Sequence, residues 1–295
     1  MPTDLTRMEA YVLGAWDLGV CFSLFLQGVL CAQFAHYTSC DKRDSIWIKL
    51  FVAGLALMTM LKSLQSLGMT WIQNVATFGN LEAGSNLLRT HWLSKINLGL
   101  EAITAFYVQM FFCRRLWVIS RNAYLITVCT ILFVAGLASG VVTTFYTFTA
   151  SMESATVWLG VHLGIILCGD SVLTGSTIFC LLRHSRECTL SRSPTRSILN
   201  SLCRVTLQSA APAALCALID FAVDMRITTT IWEPPLVLLA FITGMVLPYM
   251  YAWSAMWTLN SREEICLAAG QHQGNPEPMA KVEKAQPDGP PESMA

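Results

Sequence analysis

The sequence predicts an all-α polytopic membrane protein of seven transmembrane helices, N-terminus outside and C-terminus inside. Three observations predict it. Apolar stretches long enough to cross a bilayer recur from about Tyr11 to Leu259. Hydrophobic residues make up 54% of the chain and charged residues only 13%, against roughly 25% charged in soluble domains. Lys and Arg gather on one set of connections, as in proteins whose basic loops stay in the cytosol. A bilayer core takes about 20 apolar residues per helix. Backbone groups in lipid must be satisfied within the span, so each stretch is expected to be helical.

The expected spans are 11–37, 46–71, 93–116, 123–145, 157–183, 200–225 and 235–258. The first follows Asp4, Arg7 and Glu9. It lacks a basic leader flank and is longer than a signal-peptide core, so it is expected to be retained as helix one. The second runs between Trp47 and Trp71 and is interrupted by Lys62. The third lies between Trp92 and Trp117, aromatic residues of the kind that sit at membrane interfaces. The fourth carries Gly136 and Gly140, and the fifth Gly160 and Gly164 followed by Ser171 and Gly175. Small residues four apart let helix backbones approach closely. The sixth contains Pro212 and the seventh Pro248, each of which removes a backbone hydrogen bond and is expected to kink its helix. The chain therefore divides into a short outer N-terminus (1–10), a seven-helix membrane domain (11–260) and a tail (261–295). The tail is rich in Pro, Glu, Gly, Gln and Lys and is expected to be disordered in the cytosol.

Orientation follows from charge. Lys42, Arg43, Lys49, Arg114, Arg115, Arg121, Arg183, Arg186, Arg192, Arg196, Arg204, Arg262, Lys281 and Lys284 fall on one side. Arg7, Arg89, Lys95 and Arg226 fall on the other, with Lys62 inside a span. The basic loop from Arg183 to Arg204 is explained by topology, although it could also attract anionic lipid.

None of the 11 cysteines falls in an expected outer loop, so no extracellular disulfide scaffold is indicated. No Cys/His spacing resembles a zinc site, and no cofactor motif is present. Zero formal net charge suggests no nucleic-acid partner. The expected partners are the lipid bilayer and a small lipophilic ligand, with the oligomeric state left open.

The chemistry-bearing residues are charges inside the spans: Asp17, Lys62, Glu101, Asp170 and Asp220. A charge at a helix centre costs about 2.5–3.5 kcal/mol on insertion scales, so each needs a partner, water or protonation. Asp17, Glu101 and Asp220 fall towards the outer half, with Lys62 and Asp170 deeper and Lys62 able to reach Glu101 or Asp170. Lys62, Glu101, Gln109, Asp170 and Asp220 form the expected ligand-binding set. The structural alternative for Lys62 is a pair with an acid that only fixes helix register. His162 is expected to be a hydrogen-bonded spacer, and Asp224, near the end of helix six, to be solvated.

SLFLQGVLCAQFAHYTSCDKRD carries Phe25, Gly28, Val29, Gln33, Tyr37 and Asp41. YVQMFFCRRLWVISRNAYL carries Val108, Gln109, Phe111, Phe112, Arg115, Trp117, Ser120 and Asn122. Asp170 precedes a basic loop with Thr195, and YAWSAMWTLNSR carries Tyr251, Ser254, Leu259, Asn260 and Arg262. Through these residues the chain resembles an abundant family of seven-helix basidiomycete membrane proteins of unknown function. The resemblance covers most of 14–262 and implies fold and orientation but no activity. The family's second helix usually carries an Asp and a His near its middle, where this chain has Lys62.

Two functions are expected from these features. The first is non-enzymatic binding or passage of a small lipophilic molecule by a receptor, carrier or accessory factor, which could act beside fungal secondary metabolism. The alternative is an intramembrane enzyme resembling small terpene cyclases, with Glu101, Asp170 and Asp220 as general acids.

Overall fold

A computed structural model of the protein describes residues 4–39, 44–149, 151–187, 211–226 and 234–274. The described residues form helices: α1 (Asp4–Ser39), α2 (Ile46–Ala76), α3 (Leu81–Thr90), α4 (Trp92–Ser120), α5 (Ala123–Phe148) and α6 (Met152–Glu187). They are followed by α7, residues 211–226, and α8 (Pro234–Gly274). Six of them, α1, α2, α4, α5, α6 and α8, are long and apolar enough to cross a membrane. The expectation of seven spans is therefore met for six. The described length of α7 reaches about 24 Å at about 1.5 Å per residue, short of the ~30 Å bilayer core. Residues 200–210 of the expected sixth span lie outside the described residues, as do the basic loop beyond Glu187 and residues 275–295.

The distribution of polarity is that of an integral multi-pass membrane protein. Phe25, Leu57, Leu64, Ile131, Phe145 and Phe179 project from the bundle with 61–69% exposure. The buried face of α2 is instead polar: Thr59, Lys62, Ser63 and Ser66 recur at helical spacing between Leu55 and Met69, and Gln73 follows one turn later. A water-soluble helix would show the opposite arrangement. In lipid, apolar side chains gain nothing by hiding from the solvent, and buried polar groups join helices through hydrogen bonds. One example is Gln65 Nε2, which donates to the Leu93 carbonyl of α4 at 2.7 Å. Another links Ser63 Oγ and Tyr249 Oη of α8 at 2.9 Å.

The connection after α2 is not a simple loop. Gly79 turns the chain at φ +77°, and Asn80 Oδ1 accepts the Ala83 N–H at 3.0 Å to cap α3. This short helix buries Gly84, Ser85 and Leu88, with Leu88 joining Leu13, Trp16 and Met69 in one apolar cluster. α1 begins at Asp4, ahead of the expected start at 11. His91 Nδ1 then accepts the Leu93 N–H at 3.2 Å and starts α4.

α4 lies at the centre of the bundle and touches α2, α5, α6 and α8, while α1 packs along α8. The glycines of α5 and α6 permit close approach. A Cβ on Gly140 would stand 2.7 Å from Ala102 Cβ, and one on Gly169 2.6 Å from the Phe133 ring. At the far end of α8, helix continues to Gly274, past the boundary placed at 260. The segment Arg262–Ala269 is composed largely of good helix formers, and Gly and Asn appear only from Gly270 onward.

Candidate functional site

A cavity of about 240 Å³ opens in the half of the bundle nearest α3. Its walls come from α1, α4, α6, α7 and α8, and most are apolar, including Trp16, Leu163, Phe241 and Met245. Set among them are Glu101, His162, Asp220, Asp224 and Tyr251. No Lys or Arg lines it among the described residues. It is slightly smaller than the roughly 300–1,000 Å³ of drug-sized ligand sites, and shares their pattern of apolar walls with a few placed polar groups.

Lys62 and Glu101 meet. The lysine is only 1% exposed, and its Nζ donates to Glu101 Oε1 at 2.8 Å and to Asn97 Oδ1 at 2.8 Å. Asn97 Nδ2 donates to the same carboxylate oxygen at 3.0 Å. Asn97 stands one turn before Glu101 on α4, so a single helical repeat supplies both acceptors for the ammonium. The carboxylate keeps contact with the cavity, and the lysine is sealed behind it.

Asp170 does not join that pair. Gln109 Nε2 donates to its Oδ1 at 3.1 Å, and the Tyr251 hydroxyl donates to its Oδ2. Gln109, Asp170 and Tyr251 therefore form a buried layer linking α4, α6 and α8. Below this layer a smaller cavity of about 50 Å³ is lined by Phe112, Arg115, Asp170, Thr177, Tyr251 and Ser254, among others.

Asp220 lies in the upper cavity, where its Oδ1 accepts the Thr243 hydroxyl at 2.7 Å. Asp224, expected to be solvated, is 8% exposed. Its carboxylate is tucked over Gly160, where a Cβ would lie 3.3 Å from Oδ2. The α6 glycine leaves room for α7 to approach, so the acid faces the bundle instead of water. Asp17 is set apart. It lines a separate cleft with Gln73 and Asn74 at the α1–α2–α3 junction, and Gln73 Nε2 donates to it at 3.5 Å.

His162 is a spacer and more. Its Nδ1 lies 2.7 Å from the Gly136 carbonyl, and the residue is 4% exposed. A carbonyl can only accept, so Nδ1 carries the proton, and in the neutral ring Nε2 is left as an acceptor. Sequence reasoning did not single out Asn97, Thr243 or Trp16. Thr and Asn are common interhelical residues, and only the packing shows which ones meet a carboxylate. Tyr251 did stand in the resemblance, without a role. Among the described residues no group of three His, Cys, Asp or Glu could hold a metal ion.

Comparison with known proteins bears on the second half of the chain. No curated protein and no solved structure matches it. Residues 166–264 match a family described as a family of unknown function, DUF6534. The matched stretch carries Asp170, Asp220, Thr243 and Tyr251, and hence two of the three members of the buried layer.

Proposed function

We propose that this is a seven-span membrane protein, N-terminus outside, that binds a small lipophilic molecule in the upper cavity without transforming it. The orientation rests on the Lys and Arg bias, and it would open the cavity towards the outer face. The seventh span would be α7 together with residues before 211. Membership of the fungal seven-helix family rests on the similar residues at 25–41 and 108–122, beyond the DUF6534 match.

The observation that carries the reading is the cavity itself: apolar walls with acceptors at Glu101, Asp220 and His162. A fitting ligand has a compact apolar body and one group that donates hydrogen bonds. Such a protein could serve as a receptor, carrier or accessory factor. The enzyme alternative draws less support. Glu101 is engaged by Lys62 and Asn97, and Asp170 borders a different cavity. Of the proposed acids, Glu101 and Asp220 share the upper cavity and Asp170 stands apart from them.

The test uses the purified protein in nanodiscs with cyclohexylmethylamine, cyclohexylmethanol and cyclohexanecarboxylate. Thermal stability should rise with the amine and the alcohol and not with the carboxylate. A ligand at about 100 times its Kd stabilises by about 2.7 kcal/mol. Gly244→Leu should abolish the response. Gly244 lines the cavity, and a Cβ there meets nothing closer than Asp220 Oδ1 at 3.9 Å, so the added side chain fills the space. Equal responses in wild type and Gly244→Leu would sink the assignment.

A further inference from the structure

The two cavities share one wall residue, Tyr251. They also follow the same order along four helices. On α4 the upper lining runs from Asn97 to Ala105 and the lower from Phe112 to Arg115. On α6 it runs from Leu159 to Ile166 and then from Asp170 to Thr177. On α7, which runs the opposite way, Asp224 and Asp220 line the upper space and Ala214 and Ala213 the lower. On α8 the lining passes through Tyr251 to Ser254. The cavities are therefore stacked along the bundle axis. From Asn97 to Arg115 the α4 backbone advances about 27 Å at about 1.5 Å per residue, close to the ~30 Å core of a bilayer.

We propose that the protein passes protons across the membrane through these two cavities, with the Gln109–Asp170–Tyr251 layer as the point of transfer between them. This goes beyond ligand binding and stands whether or not the upper cavity holds an organic molecule.

Size selects the passing species. The lower cavity, about 50 Å³, admits only water-sized occupants. A water occupies about 30 Å³ of liquid and needs polar partners, which Thr177, Ser254 and Asp170 supply there. An organic ligand cannot follow. An alkali cation would have to enter that same space beside the Arg115 guanidinium, whereas a proton crosses by exchange of O–H bonds.

The groups needed stand in series. Glu101, His162, Asp220 and Asp224 face the upper cavity, with Lys62 sealed behind Glu101. Chains of intramembrane acids and His are the usual material of proton relays. In the transfer step a hydronium in the upper cavity gives a proton to the Tyr251 oxygen and is left as water, while the hydroxyl proton of Tyr251 moves to Asp170 Oδ2. Asp170 then gives that proton to a lower-cavity water, which leaves as hydronium. The Tyr251 hydroxyl turns back to Asp170, so phenol and carboxylate are both restored and one proton has crossed. Gln109 Nε2 holds Asp170 Oδ1 and keeps Oδ2 turned to the phenol.

The full chain is reconstituted in liposomes containing the pH dye pyranine. A potassium gradient with valinomycin supplies the driving potential. Internal acidification should exceed that of protein-free liposomes at least fivefold. Tyr251→Phe and Asp170→Asn should return it to background, and Ala213→Leu should do the same by filling the lower cavity. Asp17→Asn, in the separate cleft, should leave it unchanged. Each variant is first shown to be monodisperse by size exclusion, and the Tyr251→Phe arm decides if Asp170→Asn fails to fold. Acidification at the protein-free rate, or full activity in Tyr251→Phe, overturns the proposal. So does rubidium uptake, measured without valinomycin, at the rate of the proton flux.

Discussion

Removing Glu101 should damage the protein more than removing Lys62, although the two share one ion pair. Lys62 is 1% exposed and Glu101 is 16% exposed on its side chain. Glu101→Gln keeps the shape and removes the charge, leaving the ammonium sealed behind the cavity wall with only neutral amide oxygens, Asn97 Oδ1 and that of the substituted side chain, as acceptors. Uncompensated buried charges cost about 3–5 kcal/mol. Lys62→Met leaves a carboxylate that still borders the cavity, where water can solvate it, and Asn97 Nδ2 still donates to it at 3.0 Å. That loss should be nearer ~1–3 kcal/mol. Replacing both partners with neutral groups of similar volume is often close to neutral, so Lys62→Met/Glu101→Gln should lie within ~1 kcal/mol of wild type. The double-mutant cycle should therefore give a coupling of about 3 kcal/mol or more. The assay is reversible unfolding in mixed micelles, followed by tryptophan fluorescence. Additive single effects, or a Lys62→Met loss exceeding that of Glu101→Gln, would refute the reasoning.

Three further expectations concern packing, backbone and topology. Gly140→Ala brings a Cβ to 2.7 Å from Ala102 Cβ, a group with no freedom to swing away. It should lose about 1–3 kcal/mol in the same unfolding assay, whereas Gly28→Ala, with nothing within 4 Å, should gain up to ~1 kcal/mol. Arg121 closes α4 at φ 52°, with its N–H on the Trp117 carbonyl at 3.0 Å. Arg121→Gly should stabilise by up to about 1 kcal/mol by relieving the left-handed conformation. A tag placed after Ala295 should react with a membrane-impermeant reagent only from the cytosolic side. Labelling of intact cells from outside would reverse the orientation.

The helical spans were legible because lipid imposes a length and a composition that few other structures need. Lys62 and Glu101 stood out for the same reason, and their partnership was one of two that reach alone allowed. Three things were not legible. The helix α3 hides in a segment with Gly, Asn and Thr, because its order comes from Leu88 packing on α1 and from the Asn80 cap. Asp224 reads as a helix-end acid, and it is buried because Gly160 on another helix has no side chain to hold α7 away. The separation of Glu101 from Asp170 into two cavities depends on Tyr251, a residue no charge pattern would select.

The Lys62–Glu101 contact joins α2 to α4, and those helices are made at different times. As α2 leaves the ribosome its lysine has no carboxylate within reach, because Glu101 is still to be synthesised. A lone charge at a helix centre makes insertion unfavourable by about 2.5–3.5 kcal/mol. The neutralising acid arrives only after α3 and the first turns of α4 have followed. α2 should therefore linger at the insertion machinery and enter the bilayer together with α4. In this reading α3, which stands between them in the chain, is the spacer that separates the two segments until the pair can close.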